Sequence, residues 1–314
     1  MPSVLVHHDL PIAERLEGRR DDMTVLPASN RDEALEALPR ADVFVVNPTN
    51  WTDDYVSGVT AGDWVQATSA GYARFPVSRF RDRDVVFTNA SGNYDAAVAD
   101  HAMSLLLALS RRLPAFVDRQ RRREWDRELG AGLVDLAGRT LTVCGLGNIG
   151  EAVARRAAAF EMDVYGVKRA PSDYDGHLSS DRVLASEDFR SILEDTDVLV
   201  LTVPLTDDTR GLIDRDVLET LPDSAILVNV ARGEVVDERA LIAALEAGRL
   251  AGAGLDVFAT EPLPADSPLW TFDETIVTPH VAGRSESFVD RFVDLFVRNY
   301  DRWRAGEPLE NRIC

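Results

Sequence analysis

Apolar residues in this chain fall into short runs separated by polar, helix-forming stretches. In the first hundred residues, Val4-Leu5-Val6, residues 42–46, 64–67 and 85–88 are β-branched or aromatic runs of strand length. Residues 30–38 carry apolar positions at helical spacing, with Asn30 placed as the cap and Pro39 beyond the end. Strands alternating with helices predict a parallel sheet with helical crossovers. Residues 96–113 are apolar on most sides and predict one long helix, buried between domains. From Thr140 the alternation resumes, with candidate strands at 141–144, 163–167, 197–203, 225–230, 252–257 and 275–278. That set is sufficient for a complete doubly wound dinucleotide domain. Residues 285–303 have a helical period through Phe288, Phe292, Leu295 and Phe296, and predict a helix that crosses back onto the N-terminal domain.

A chain of 314 residues, 45% hydrophobic, has room for two domains. No apolar run approaches the ~20 residues of a membrane span. The start, Met1 to Asp9, has neither the basic residues nor the apolar length of a signal peptide. The only cysteines are Cys144 and Cys314, so a cytoplasmic location without disulfides is expected, and no metal site is expected.

Charge changes the picture. The 34 basic residues face 53 acidic ones, a net charge of −19, and Lys168 is the only lysine. A GC-rich coding sequence would explain missing lysines but not the excess of acids. An acidic surface suits a salt-accumulating cytoplasm, because at ~1 M salt the screening length falls to about 3 Å and self-repulsion is silenced. The same charge argues against a nucleic-acid partner. The basic cluster Arg119 to Arg123 is interleaved with Asp118, Glu124 and Asp126, and reads as a solvated or interfacial helix face.

Candidate chemistry begins at Gly145-Leu146-Gly147-Asn148-Ile149-Gly150. This stretch follows the run 141–144 and precedes an alanine-rich helical stretch from Glu151 to Phe160. Strand, glycine turn and helix form the setting of a dinucleotide fingerprint. The first glycine allows a tight turn. The second lets the backbone approach a pyrophosphate. The third lets the helix pack close to the strand, with its first N–H groups facing the phosphates. Three later segments end candidate strands, where ligands bind in open α/β sheets. They carry Arg232, Glu261 and His280. Arg232 can grip a carboxylate bidentately and polarise the neighbouring carbonyl. His280 can give a proton to the oxygen as hydride reaches the carbon. Glu261 can hydrogen-bond the other ring nitrogen, fix the tautomer and favour the protonated ring. Together they suit hydride transfer to a 2-keto acid.

These segments resemble the D-isomer-specific 2-hydroxyacid dehydrogenases. The resemblance rests on Gly145–Gly150, Val203-Pro204-Leu205-Thr206 with Thr209, Asn229–Asp237, Gly254–Pro264 and Thr278–Gly283, and more loosely on Ser69-Ala70-Gly71 and Val98-Ala99-Asp100-His101. It implies an α/β fold of two doubly wound parallel-sheet domains. A Rossmann cofactor domain, residues 99–283, is inserted into a flavodoxin-like substrate domain of residues 1–98 and 284–314. It implies Arg232, Glu261 and His280 as the catalytic trio. It implies cofactor contacts from Gly145, Gly147, Asn148, Ile149, Gly150, Val203, Pro204, Thr209, Val230, Ala231, Arg232, His280 and Gly283, with Asp256 on the nicotinamide carboxamide. Ser69, Ala70 and Gly71, with Arg232 and His280, would hold the substrate, its carboxylate on backbone N–H groups near Ala70 and Gly71. A homodimer through the cofactor domain is expected.

One position departs from the commoner pattern. Most NAD-dependent members carry an aspartate at the end of the second cofactor strand; here Lys168 and Arg169 stand there. A carboxylate would repel a 2′-phosphate and two cations attract one, so NADP(H) is expected over NAD(H). The short spacing from Glu261 to His280 is similar to the branch acting on glyoxylate and hydroxypyruvate. Trp51 and Tyr72 lie in loops that can line the pocket or pack elsewhere, and Trp51 is assigned to the substrate. Trp125 is placed at the tip of a dimer arm, reaching a neighbour's pocket or packing at the interface. Phosphoglycerate and phosphite dehydrogenases on the same scaffold are alternatives, as is a dinucleotide-sensing corepressor that binds partner proteins.

Overall fold

The short β-branched runs become parallel strands. The computed structural model describes residues 1–314, and they form two units, residues 1–94 with 285–314 and residues 95–284. In the first unit the chain runs β1 (Ser3–His7), α1 (Ile12–Glu17), β2 (Thr24–Pro27), α2 (Arg31–Ala37), β3 (Val43–Val46), β4 (Trp64–Ala67), α3 (Val77–Arg81) and β5 (Val86–Thr88). The sheet order is β2-β1-β3-β4-β5, parallel throughout. The hydrophobic pattern misses β2, because it is a half-exposed edge strand that ends in proline and pairs only with β1. Asn30 caps α2 as expected: its side chain accepts from the Glu33 amide at 3.0 Å, while Glu33 accepts from the Ser29 amide at 2.8 Å.

The second unit opens with α4 (Asp95–Ser110) and α5 (Leu113–Arg122). One helix over 96–113 is therefore a correction. Arg112 takes a left-handed φ of 51° and a new helix starts at Leu113-Pro114, since proline fits a first turn but not a helix interior. The buried side of α4, including Val98, Ala102 and Leu106, belongs to this unit's own layering. The chain continues through β6 (Thr140–Cys144), α6 (Asn148–Ala159), β7 (Asp163–Lys168), β8 (Val183–Ala185), β9 (Val198–Leu201), α7 (Arg215–Thr220), β10 (Ile226–Asn229), α8 (Glu238–Glu246), β11 (Gly252–Leu255) and β12 (Thr275–Val277). The order β12-β11-β10-β9-β6-β7-β8 makes seven parallel strands. The extra one, β8, is three residues long and only partly buried, too short to show a period. α4 packs on α6, β10 and β11. The strand order reverses between β6 and β9, which places a ligand crevice at their carboxyl ends. Cys144 ends β6 in that core, and burial pushes its thiol up to about 12.

The last helix, α9 (Phe288–Ala305), returns to the first unit as its apolar period predicts. Phe288, Phe292, Leu295, Phe296 and Tyr300 are buried there, and Phe296 stacks on Trp64 with ring centroids 5.1 Å apart. Both units are thus parallel α/β layers, the fold class expected. No helix is long and apolar enough to cross a membrane.

Candidate active site

The glycine turn sits at the reversal of strand order. Gly145 holds φ +107°, and Gly150 packs so closely that a Cβ there would lie 2.1 Å from the Gly145 carbonyl oxygen. A Cβ on Gly147, by contrast, would meet nothing within 4 Å. Gly147 immediately precedes α6 and no side chain caps that end. The amides of Asn148, Ile149 and Gly150 are therefore first-turn donors without a helical acceptor. Open space before an uncapped helix start, at the carboxyl end of a central strand, fits a dinucleotide pyrophosphate. Val203 borders the turn: a Cβ on Gly145 would meet its Cγ1 at 2.9 Å. Thr209 Oγ1 donates to the Pro204 carbonyl at 2.6 Å and accepts the Thr206 amide at 2.8 Å, closing the loop after β9. Lys168 ends β7 and its Nζ donates to the Leu146 carbonyl at 3.2 Å, inside the glycine turn. Arg169 beside it is exposed. Lys168 thus stands at the edge of the turn, with Arg169 next in the chain.

Three loops carry the predicted trio. At the end of β10, Asn229 is buried; its Oδ1 accepts the Ala231 amide at 3.0 Å and its Nδ2 donates to the Arg232 carbonyl at 3.1 Å. Val230 and Ala231 are buried beside it. Arg232 Nη1 donates to the Ala231 carbonyl at 2.6 Å, and the side chain is otherwise exposed. Gly233 is required for a close approach: a Cβ there would lie 1.8 Å from the Phe258 carbonyl carbon. The Arg232 loop is thereby packed on the Glu261 loop. Glu261 Oε1 accepts the Phe258 amide at 3.1 Å, and Glu238 accepts the Ala259 amide at 3.2 Å. Glu261 Oε2 lies 2.8 Å from His280 Nδ1. A carboxylate there fixes the Nδ1–H tautomer and leaves Nε2 for another partner. Both side chains are partly open, His280 at 48% and Glu261 at 37% exposure.

Asp256 is 1% exposed, and its carboxylate accepts from Thr278, Val281 and Ala282. Both carboxylate oxygens bind the loop from Thr278 to Ala282, just before Gly283. Neither Asn229 nor Thr278 had a role assigned from sequence; for Thr278 nothing local marks it, because its partners Asp256 and His101 are distant in the chain.

In the first unit, Ser69 Oγ donates to the Gly71 carbonyl at 2.7 Å and Asn89 Nδ2 to the Ala70 carbonyl at 2.7 Å. The Ala70 and Gly71 amides donate to no group of the chain. Trp51 is a correction. It is 9% exposed, and its ring packs on Phe75 at 4.9 Å, Phe80 at 5.5 Å and Tyr55 at 5.6 Å. The indole turns inward, because a large ring gains most by joining the core. Its indole is mainly core packing.

Residues 103–282 match the D-isomer specific 2-hydroxyacid dehydrogenase, NAD binding domain. The chain belongs to this family. The dehydrogenase is 33% identical to glyoxylate/hydroxypyruvate reductase B of Serratia proteamaculans, covering 99% of this chain and 97% of that one. It is also 33% identical to D-3-phosphoglycerate dehydrogenase of Methanocaldococcus jannaschii, over 93% of this chain but 55% of the other. Among solved structures, the NADPH-dependent glyoxylate/hydroxypyruvate reductase of Sinorhizobium meliloti, in complex with citrate, superposes with a TM-score of 0.83 at 30% identity, covering 100% of this chain and 98% of that one. The dehydrogenase is thus an NAD(P)-dependent oxidoreductase.

Proposed function

We propose that the dehydrogenase reduces small 2-keto acids of the glyoxylate and hydroxypyruvate class to D-2-hydroxy acids, with NADPH preferred over NADH. The 2.8 Å contact between His280 Nδ1 and Glu261 Oε2 carries this reading. With Nδ1–H held by a carboxylate, the protonated ring offers Nε2–H to a carbonyl oxygen. Loss of that proton leaves a neutral ring still oriented by Glu261. Arg232 has guanidinium donors beyond the one bound to Ala231, and they suit a substrate carboxylate next to the reacting carbonyl. The Ala70 and Gly71 amides, without a partner in the chain, are proposed as carboxylate donors in their own unit. A bound nicotinamide supplies the hydride to the carbonyl carbon. Lys168 and Arg169 support the NADPH preference, since both are cations at the end of β7.

The test is a substrate panel with both cofactors. Glyoxylate and hydroxypyruvate are expected to turn over best with NADPH. Lys168→Asp with Arg169→Ala is expected to reverse the ratio of kcat/KM for the two cofactors. An unchanged ratio would mean that the phosphate is read elsewhere. The panel includes 3-phosphoglycerate, assayed for oxidation with NADP+ and NAD+, because a phosphoglycerate dehydrogenase is equally identical to this chain. Preference for it would replace the keto-acid reading, and absence of all turnover would favour the corepressor-like alternative.

A homodimer is part of the same proposal. α5 has no buried residue, Leu113 and Val117 on it are exposed, and Trp125 beyond it is 93% exposed. Such apolar side chains suit a second copy.

A further inference from the structure

Behind His280 lies a buried relay of hydrogen bonds. Asp256 Oδ1 accepts from Thr278 Oγ1 at 2.6 Å and from the Val281 amide at 2.9 Å. Asp256 Oδ2 accepts the Ala282 amide at 2.9 Å. The Asp256 carbonyl accepts the His280 amide at 2.8 Å. One further group joins from α4: His101 Nε2 stands 2.9 Å from Thr278 Oγ1 and 3.5 Å from Asp256 Oδ1.

Chemistry orients the chain. An ionised carboxylate only accepts, so Thr278 gives its single proton to Asp256. The Thr278 oxygen must then accept from His101, which assigns the His101 proton to Nε2. The relay therefore runs from His101 Nε2–H to Thr278 O–H to Asp256, and Asp256 holds two amides of the loop that carries His280. His280 itself has φ 52°, left-handed backbone that an L-residue keeps only where its surroundings hold it. Three residues of this loop, His280 to Ala282, have their amides bound to Asp256, so the strained conformation is fixed through that one buried residue.

We propose that His101 is a positioning residue for His280. By holding the Thr278 hydroxyl on Asp256, it keeps the carboxylate in the orientation that pins Val281 and Ala282, and with them the backbone that sets the His280 ring against Glu261. The role rests on the reading of His280 as proton donor. The His101 ring is 22% exposed, so the variants below separate its hydrogen bond from its packing.

The test compares His101→Phe, which removes the donor but keeps a ring, with His101→Gln, whose amide N–H can reach the same place. Thr278→Val and Thr278→Ser form the matching pair. Each variant is assayed for glyoxylate reduction with NADPH, and amide hydrogen exchange of Val281, Ala282 and the β10 residue Leu227 is followed in each. His101→Phe and Thr278→Val are each expected to lower kcat about ten- to a hundredfold, the scale of a small misplacement of a catalytic group, with the KM for NADPH nearly unchanged. Val281 and Ala282 should exchange faster while Leu227 stays protected. The Gln and Ser variants should keep most of kcat, and the double variant should be no worse than its worse single, since both act on one relay. Unchanged kcat and exchange in His101→Phe would overturn the proposal. So would an additive double variant, or a Gln variant as impaired as Phe. Should the wild-type protein reduce no keto acid, the exchange arm still decides: faster exchange in His101→Phe sustains the positioning role while the reading of His280 as acid falls.

Discussion

His280 has one ring nitrogen committed to Glu261 and one free for chemistry. That division makes the two residues separable by experiment. His280→Ala removes the acid, and kcat for keto-acid reduction is expected to fall about 10²–10⁴-fold. Glu261→Gln keeps a hydrogen-bond partner but removes its charge. A charged hydrogen bond is worth about 1.5–3 kcal/mol, and solvent reaches both side chains, so the expected loss is near the lower end, about tenfold in kcat. Steady-state kinetics of both variants check this. Equal losses would mean that Glu261 does more than orient the ring.

Among the elements, the glycine turn makes the sharpest contrast. Gly147 and Gly150 are three residues apart in one motif, but their surroundings differ: nothing within 4 Å of a Cβ at the first, backbone oxygen at 2.1 Å at the second. Gly147→Ala is expected to fold with little change in Tm and to bind NADPH more weakly, because the methyl enters the space a pyrophosphate needs. Gly150→Ala must move backbone, an overpacking cost of about 1–3 kcal/mol or more, and should lower Tm by several degrees. Thermal melts and cofactor titration separate the two. A Gly147→Ala variant with wild-type cofactor affinity would move the pyrophosphate away from this turn. At this scale the sequence was a good guide for long, patterned elements such as α9 and a poor one for β2 and β8. An edge strand or a three-residue strand buries too little for a period to register.

Over the whole molecule, the net charge of −19 sets the electrostatics. Arginines answer part of it locally. Arg20 pairs with Asp22 at 2.9 Å and Asp301 at 2.8 Å, tying the turn before β2 to α9, and Arg298 grips Glu310 at 3.0 Å. Such exposed pairs are worth at most about 1 kcal/mol each. The unpaired excess of carboxylates repels over a Debye length of about 30 Å at 0.01 M salt and about 3 Å at 1 M. Concentrated KCl is therefore expected to raise Tm, most steeply in the lowest salt range. Neutralising about ten exposed acids should flatten that curve. A Tm independent of KCl would leave the salt adaptation without support and the missing lysines to codon usage.

Local signals determined much of this protein. Apolar runs of strand length, Asn30 before a helical period, and glycines between a strand and a helix all report the burial and backbone geometry of their own residues, so they are legible without a partner. The ends of β10 and β11 and the stretch around His280 were legible for the same reason: charged residues directly after apolar runs. What the tertiary structure alone decided concerns side chains whose partners are distant in the chain. Trp51 lies in a loop by sequence, yet it belongs to the core because Phe75 and Phe80 arrive beside it. Asp256 follows a strand, and the three donors it receives from the loop of Thr278 to Ala282 are more than twenty residues away in the chain. His101 meets Thr278 across 177 residues. Periodicity records which side of an element is buried; it carries no term for which residue is buried against it.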